Sequence, residues 1–223
     1  MYRFFTPNKL TSGLPIELTD EEYHHLKKVL RVHMGEKIEI VNGKGDLGIA
    51  LYDDPIILLS VESLPKPQKI NALIQAIPEK THLEWLIEKG TELGITEFHL
   101  FPGEKSKLKE ISPSTLSRID KILISALKQS KRLFLPTLHI HTQVPDLKIK
   151  LYLGDPKGSS FVPSHESSAF LIGPESGFTQ KEIHFFQTKL NAIPTKLSEN
   201  ILRTETASII ASFLLCTVPM EKS

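Results

Sequence analysis

The chain contains a single cysteine, Cys216. No disulfide can form within it, and a lone thiol suits a reducing compartment. The residue falls in an apolar helix near the C-terminus, where burial is the default for a free cysteine. No apolar run reaches the length needed to cross a bilayer, and no charged n-region followed by an apolar h-region opens the sequence. The expectation is a cytoplasmic protein with no membrane partner. A surplus of one charge is missing as well: 27 Lys and Arg stand against 26 Asp and Glu, a formal net charge of +1. Global electrostatics therefore announces no nucleic-acid partner. Internal repeats, a Walker phosphate loop and an H-E-x-x-H zinc signature are all absent from the sequence. Gly173-Pro-Glu-Ser-Gly177 is not a nucleophile elbow, because Ser176 falls one place too late. His139 and His141 share one strand face, but two ligands do not make a zinc site, and no metal is expected.

What is present fits one large or two small domains in 223 residues. Hydrophobic residues at 40% and charged residues at 24% are ordinary for a soluble globular chain. Charge is uneven, however. Residues 104–132 hold 8 basic and 3 acidic side chains, a stripe that suits either phosphate contacts or a solvated helix face. Leu64-Pro-Lys-Pro67 reads as a linker, since two prolines end the strand pattern before it. The boundary is placed there, giving domains 1–68 and 69–223.

In the first, Met1–Phe5 reads as a strand with Arg3 among aromatics. Thr19 and Glu22 form a capping box for a helix with Tyr23, Leu26, Val29 and Leu30 on its core side. His25, Lys28 and Arg31 share the polar side. Lys37–Val41 and Leu47–Tyr52 alternate as strands around Asn42-Gly43, a hairpin signal. Gly43-Lys-Gly-Asp-Leu-Gly48 matches the dinucleotide fingerprint, but strand residues follow where a helix is required, so these glycines are read as a turn.

In the second, a strand over Ile70–Ile77, a helix over Lys80–Leu93 closed by Gly94 and a strand over Glu97–Phe101 imply a parallel sheet covered by helices. Ser112-Pro113 opens another helix. Residues 137–168 read as short strands and polar loops, with Gly158–Ser160 and Ser164–Ser168 exposed. Ala169–Phe178 is a buried strand that breaks at Gly173-Pro174, and Thr179 with Glu182 caps the helix that follows. A strand ending in a glycine-rich loop before a helix is the usual ligand corner of an α/β sheet. Leu197–Ala207 is a polar loop running into an apolar helix, Ser208–Thr217, with Thr204 as N-cap and Ile209, Ile210, Phe213 and Leu214 on one apolar face. Arg203 and Glu205 beside that helix start can hold a charged small molecule.

Gly173-Pro-Glu-Ser-Gly-Phe178, followed about 25 residues later by Leu197-Ser-Glu-Asn-Ile-Leu-Arg-Thr-Glu-Thr-Ala207, resembles the RsmE family of SPOUT-class methyltransferases. Trp85–Ile95 is similar to the corresponding family segment too. The resemblance implies a PUA-like RNA-binding β-barrel over 1–68 and a trefoil-knotted α/β SPOUT domain with a parallel sheet over 69–223. It implies S-adenosyl-L-methionine as cofactor and N3 of a uridine in the 16S ribosomal RNA of the small subunit as target. The cofactor loops it implies comprise Leu153 and Gly154, then Leu171, Ile172, Gly173, Pro174, Glu175 and Gly177, then Leu197, Ser198, Asn200, Ile201 and Leu202. Arg203 would stabilise a uracil anion or hold a phosphate, and Glu205 or Glu175 would accept the N3 proton. Arg3, His25, Lys28, Arg31, Lys105, Lys107 and Arg132 are the RNA-contact candidates. A homodimer is implied, with Ile209, Phe213 and Leu214 serving the interface or the core. Three positions depart from the family pattern: Lys105 replaces an arginine, Lys128 an acidic residue and Ser176 the commoner glycine. Ribose 2′-O-methylation and a catalytically silent RNA-binding factor are the competing readings.

Overall fold

Alternation and turn chemistry build the N-terminal sheet. In the computed structural model, which describes residues 1–217, β1 (Arg3–Phe5), β2 (Lys37–Val41), β3 (Asp46–Leu51) and β4 (Ile57–Ser63) pair in that order. Asn42 sets the β2–β3 turn, its side-chain oxygen accepting from the backbone N–H of Lys44 and Asp46. Gly43 and Gly45 turn the chain with positive φ, and Gly48 lies within β3, a strand where the dinucleotide fingerprint requires a helix. Phe4, Ile38, Ile40, Ala50 and Leu58 form the core of this unit together with Leu26.

The helix between β1 and β2 departs from expectation. It is α-helical only over α1 (Asp20–His24) and continues as a π-helical turn over His25–Val29. Tyr23 and Val29 are exposed, and Leu26 and Leu30 pack inwards. The capping box is half made: Thr19 accepts from the Glu22 N–H, but the buried Glu22 carboxylate turns to Lys128 instead.

The chain divides into two compact units. One comprises Met1–Pro67 with Ile124–Leu135, the other Gln68–Leu123 with Pro136 onwards. In the first, Arg3 donates to Glu39 at 2.7 Å and to the Arg132 carbonyl at 3.4 Å, and Leu135 N–H donates to the Gly43 carbonyl at 2.9 Å.

The second unit is a six-stranded sheet, every pair parallel. It contains β5 (Asn71–Ala76), β6 (Glu97–Phe101), β7 (Thr137–Ile140), β8 (Lys150–Ser160), β9 (Ser168–Ile172) and β10 (Ile193–Lys196), in the order β10-β8-β9-β5-β6-β7. Its helices are α2 (Lys80–Leu93), α3 (Pro113–Gln129, whose last turns belong to the first unit), α4 (Gln180–Lys189) and α5 (Thr204–Cys216). The stretch read as short strands and exposed loops contains an eleven-residue strand, β8, and Gly158–Ser160 lie in it. Ser168 is buried as the first residue of β9.

α5 also corrects the sequence reading. It starts at Thr204 with Arg203 in the N-cap position, and it buries Ser208, Ala211, Ser212 and Leu215. Small residues let the helix approach β5, β9 and α2 closely. The larger Ile209, Ile210 and Leu214 are only partly buried, and Phe213 remains 52% exposed. No helix among the described residues is long and apolar enough to cross a membrane.

Candidate active site

β9 is buried along its whole length and ends where Pro174, lacking an N–H, cannot continue a ladder. The chain then turns back on itself, with Gly177 N–H donating to the Pro174 carbonyl at 2.8 Å. Gly177 has φ +65, a left-handed conformation that a side chain would strain. Ser176 does not share it, so its Cβ, where the family more often has glycine, costs no backbone strain.

Buried polar contacts fix this loop to the start of α5. Thr204 Oγ1 donates to the Gly173 carbonyl at 2.6 Å, and the fully buried Gln75 donates to the same carbonyl at 3.1 Å and to Thr204 Oγ1 at 3.2 Å. Ser208 donates to the Gln75 side-chain oxygen, so both ends of the amide are satisfied. From the other side Lys105 reaches the carbonyls of Ser176 and Phe178, at 3.4 and 3.3 Å. The Glu182 carboxylate accepts from the backbone N–H of Glu104 and of Thr179, completing the capping box expected for α4.

Three loops so positioned enclose a cavity of about 360 Å³. Its walls are Leu153–Pro156 of β8, Ile172–Phe178 at the end of β9 and after it, and Leu197, Ser198, Asn200, Ile201 and Leu202 before α5, closed by Ile183, Thr204 and Ala207. All the residues expected to hold a cofactor line it except Leu171, whose side chain is buried in the sheet core. Asp155, Pro156 and Ile183 line it without having been anticipated. The volume lies within the range usual for small-molecule sites.

Glu175 lines the cavity and accepts from Glu79 N–H at 2.8 Å and from His82 Nδ1 at 2.9 Å. His82 Nδ1 also lies 3.9 Å from Glu205 Oε2, a buried oxygen with no hydrogen-bond partner among the described residues. Glu205 stands in the first turn of α5, where unpaired N–H groups favour negative charge. It sits behind Thr204 rather than in the cavity wall. Arg203 is exposed between two lining residues, and its guanidinium makes no hydrogen bond or ion pair among the described residues.

His82 had no sequence signal. It lies in the first turn of α2, and only the fold brings α2 to the two carboxylates. The hydrogen bond to Glu175 raises the His82 pKa above its ordinary 6.5, against an opposing effect of burial. For Glu175, burial acts to raise the pKa, but the bonds from His82 and the Glu79 N–H prevail and hold it below its ordinary 4.5. The raised His82 value contributes stability that is complete below pH 6.5 and is lost as pH rises through the folded value. The lowered Glu175 value contributes stability present above pH 4.5 and lost as pH falls through the folded value. The ion pair is thus complete between the two. In a nuclear magnetic resonance titration, His82 is expected to titrate above 6.5 and to shift downward in Glu175→Gln. A midpoint untouched by that substitution would discard the pairing.

The basic candidates divide. Arg3 is tied to Glu39 and a backbone carbonyl, which makes it an internal strut with no outward charge, contrary to expectation. Lys28 and Arg31 are exposed and His25 is half-buried. Lys105 braces the Gly173–Phe178 loop, Lys107 pairs with Glu79, and Arg132 is engaged as well.

This parallel α/β sheet, with a cavity built from three loops beside α5, has the fold of the SPOUT class of methyltransferases. The chain belongs to the RNA methyltransferase family: the family described as "RNA methyltransferase domain" matches residues 65–215, and "RNA methyltransferase PUA domain" matches residues 18–52. It is 28% identical to the ribosomal RNA small subunit methyltransferase E of Rickettsia conorii, over 94% of this chain and 92% of that one. Identity to the Bacillus subtilis protein of the same name is 27%, over 95% and 94%. Among solved structures, that of the ribosomal RNA small subunit methyltransferase E of Neisseria gonorrhoeae, bound to S-adenosyl methionine, superimposes with a TM-score of 0.82. The two are 27% identical and each chain is covered to 95%.

Proposed function

We propose that this protein is a cytoplasmic, S-adenosyl-L-methionine-dependent methyltransferase that modifies N3 of a uridine in 16S ribosomal RNA. The observation that carries the reading is the cavity with Glu175, His82 and Glu205 gathered at one side. The lining suits the cofactor. Leu153, Ile172, Ile201 and Leu202 offer apolar walls for a purine, Asp155 and Ser198 offer acceptors for hydroxyls, and Glu175 offers a negative charge for a sulfonium. When bound, S-adenosylmethionine supplies a methyl carbon whose bond to sulfur breaks, with the electron pair staying on sulfur, as uracil N3 bonds to that carbon.

The chain's own part is alignment and proton removal. Holding two reactants in line is worth roughly 7–11 kcal/mol of barrier. Glu175, the member of the cluster that lines the cavity, takes the N3 proton, with His82 and Glu205 sharing the charge behind it. Arg203, without an internal partner, balances the developing uracil anion. The target base must leave its stack to reach such a site. The N-terminal PUA-like domain, residues 1–68, grips the surrounding RNA with Lys28 and Arg31, while the second unit, which takes in most of residues 69–223, carries the chemistry.

The half-exposed face of α5 supports a second copy of the chain as partner. Burying Phe213 there removes apolar surface that stands half in water. Phe213→Glu is expected to turn a dimer into a monomer in analytical ultracentrifugation; a parent protein that is monomeric at every concentration would end the dimer reading.

The activity test uses small ribosomal subunits lacking native methylation and isotopically labelled cofactor, with digested nucleosides identified by mass spectrometry. Labelled 3-methyluridine is expected. Label in a ribose-methylated nucleoside would remove the N3 assignment and keep the cofactor. Absence of both transfer and cofactor binding, beside an active control, would favour a silent RNA-binding factor.

A further inference from the structure

β6 and β7 run parallel, with Glu97 opposite Thr137 and His99 opposite His139. Alternate residues of a strand share a face, so Glu97, His99, His139 and His141 gather on one side of the sheet at its β7 edge. His99 Nε2 lies 3.1 Å from Glu97 Oε2, and His99 Nδ1 lies 2.9 Å from His141 Nε2. The His99 and His139 rings stack with centroids 4.6 Å apart. One candidate ligand atom from each of Glu97, His99 and His139 falls within 4.8 Å of the others. None of these residues lines the cofactor cavity.

We propose that Glu97, His99 and His139 bind a late first-row divalent metal ion of the zinc type, with His141 orienting His99. Imidazole nitrogen with carboxylate oxygen is a donor set that such ions favour. When His99 donates its Nδ1 proton to His141, its Nε2 lone pair faces a carboxylate oxygen 3.1 Å away. Two lone pairs at that distance repel, and a cation between them turns repulsion into binding. The spacing is near the separation of about 3.3 Å between two ligands on a tetrahedral zinc ion with bonds of about 2.0–2.1 Å. His139 completes the set by a side-chain rotation. It is exposed on the edge strand, and its Nε2 has only a 3.0 Å bond with Thr137 Oγ1 to give up. A fourth position is left to water. His141 then acts as the outer partner that fixes the ring and tautomer of a metal-bound histidine. His139 on β7 and His141 just beyond its end do not make a metal site by themselves; Glu97 and His99 come from the neighbouring strand, and only the pairing register shows it.

The test uses the full-length protein freed of metal with a chelator and titrated with Zn²⁺ by calorimetry and with Co²⁺ by visible absorption. Expected are one Zn²⁺ per chain and a Co²⁺ ligand-field band. His139→Ala and Glu97→Gln should each weaken Zn²⁺ binding by roughly a hundredfold and remove the band, and His141→Gln should weaken it by roughly tenfold. His139 is exposed, so its variant tests the site without threatening the fold, and its melting temperature without metal should match the parent's. Absence of saturable Zn²⁺ binding, or binding equally tight in His139→Ala and Glu97→Gln, would overturn the proposal.

Discussion

Replacing Glu205 with Gln is expected to lower kcat for methyl transfer by roughly tenfold, because it removes the charge that Glu205 shares behind the proton acceptor Glu175, while leaving the melting temperature unchanged or higher. The two effects have one cause. Glu205 Oε2 is buried without a hydrogen-bond partner, 3.9 Å from His82 Nδ1. A buried polar atom left unsatisfied costs about 1–3 kcal/mol, and removing the charge relieves part of that. Glu175→Gln should behave differently, losing activity and stability together, because Glu175 accepts two good hydrogen bonds. Single-turnover assays beside thermal melts separate the cases. An E205Q protein that turns over at the parent rate would take Glu205 out of the reaction.

The second large effect is expected at a glycine of β8. A Cβ at Gly158 would lie 2.4 Å from both the Pro194 carbonyl carbon and the Thr195 nitrogen. Both are backbone atoms of β10, which pairs with β8 through a register shift between Pro194 and Thr195. Neither atom can rotate away, so Gly158→Ala must push β10 off β8. Overpacking of this kind costs about 1–3 kcal/mol, which in a chain of this size lowers Tm by roughly 2–4 °C per kcal/mol. β10 leads directly into Leu197–Leu202, one wall of the cavity. G158A should therefore weaken S-adenosylmethionine binding at temperatures where the protein is still folded. Calorimetric titration well below the melt checks this; parent affinity in the variant would show that the wall tolerates the displaced strand.

The elements that local chemistry specifies were legible. Lys80–Leu93 forms a helix over the expected residues, Glu97–Phe101 a strand over the expected residues, and Thr179 with Glu182 a complete capping box. Each rests on a pattern contained within a few residues. What failed depended on partners distant in sequence. The sequence left the large apolar residues of α5 open between core and interface, because only the fold shows that this helix buries its small residues to come close to β5, β9 and α2. The π-helical turn at His25–Val29 is likewise invisible to a 3.6-residue period. The cavity loops were readable because glycine and proline mark them. His82 and Gln75, which hold the charged cluster and the loop in place, carry no such mark. Lys128, a departure from the family pattern, has its explanation in the buried Glu22 it pairs with.

The N-terminal unit is made of two pieces of chain, and that sets an order on its birth. Met1–Pro67 emerges during synthesis well before Ile124–Leu135 exists. Until then Glu22 lacks the cation of Lys128, Arg3 lacks the Arg132 carbonyl, and Gly43 lacks the Leu135 N–H. The portion that comes first therefore finishes late, its four strands all present but these contacts unmade while α2, β6 and most of α3 are added. A nascent chain halted before residue 124 should be digested readily within its first 67 residues, and one halted after the whole of residues 124–135 has left the ribosome should resist.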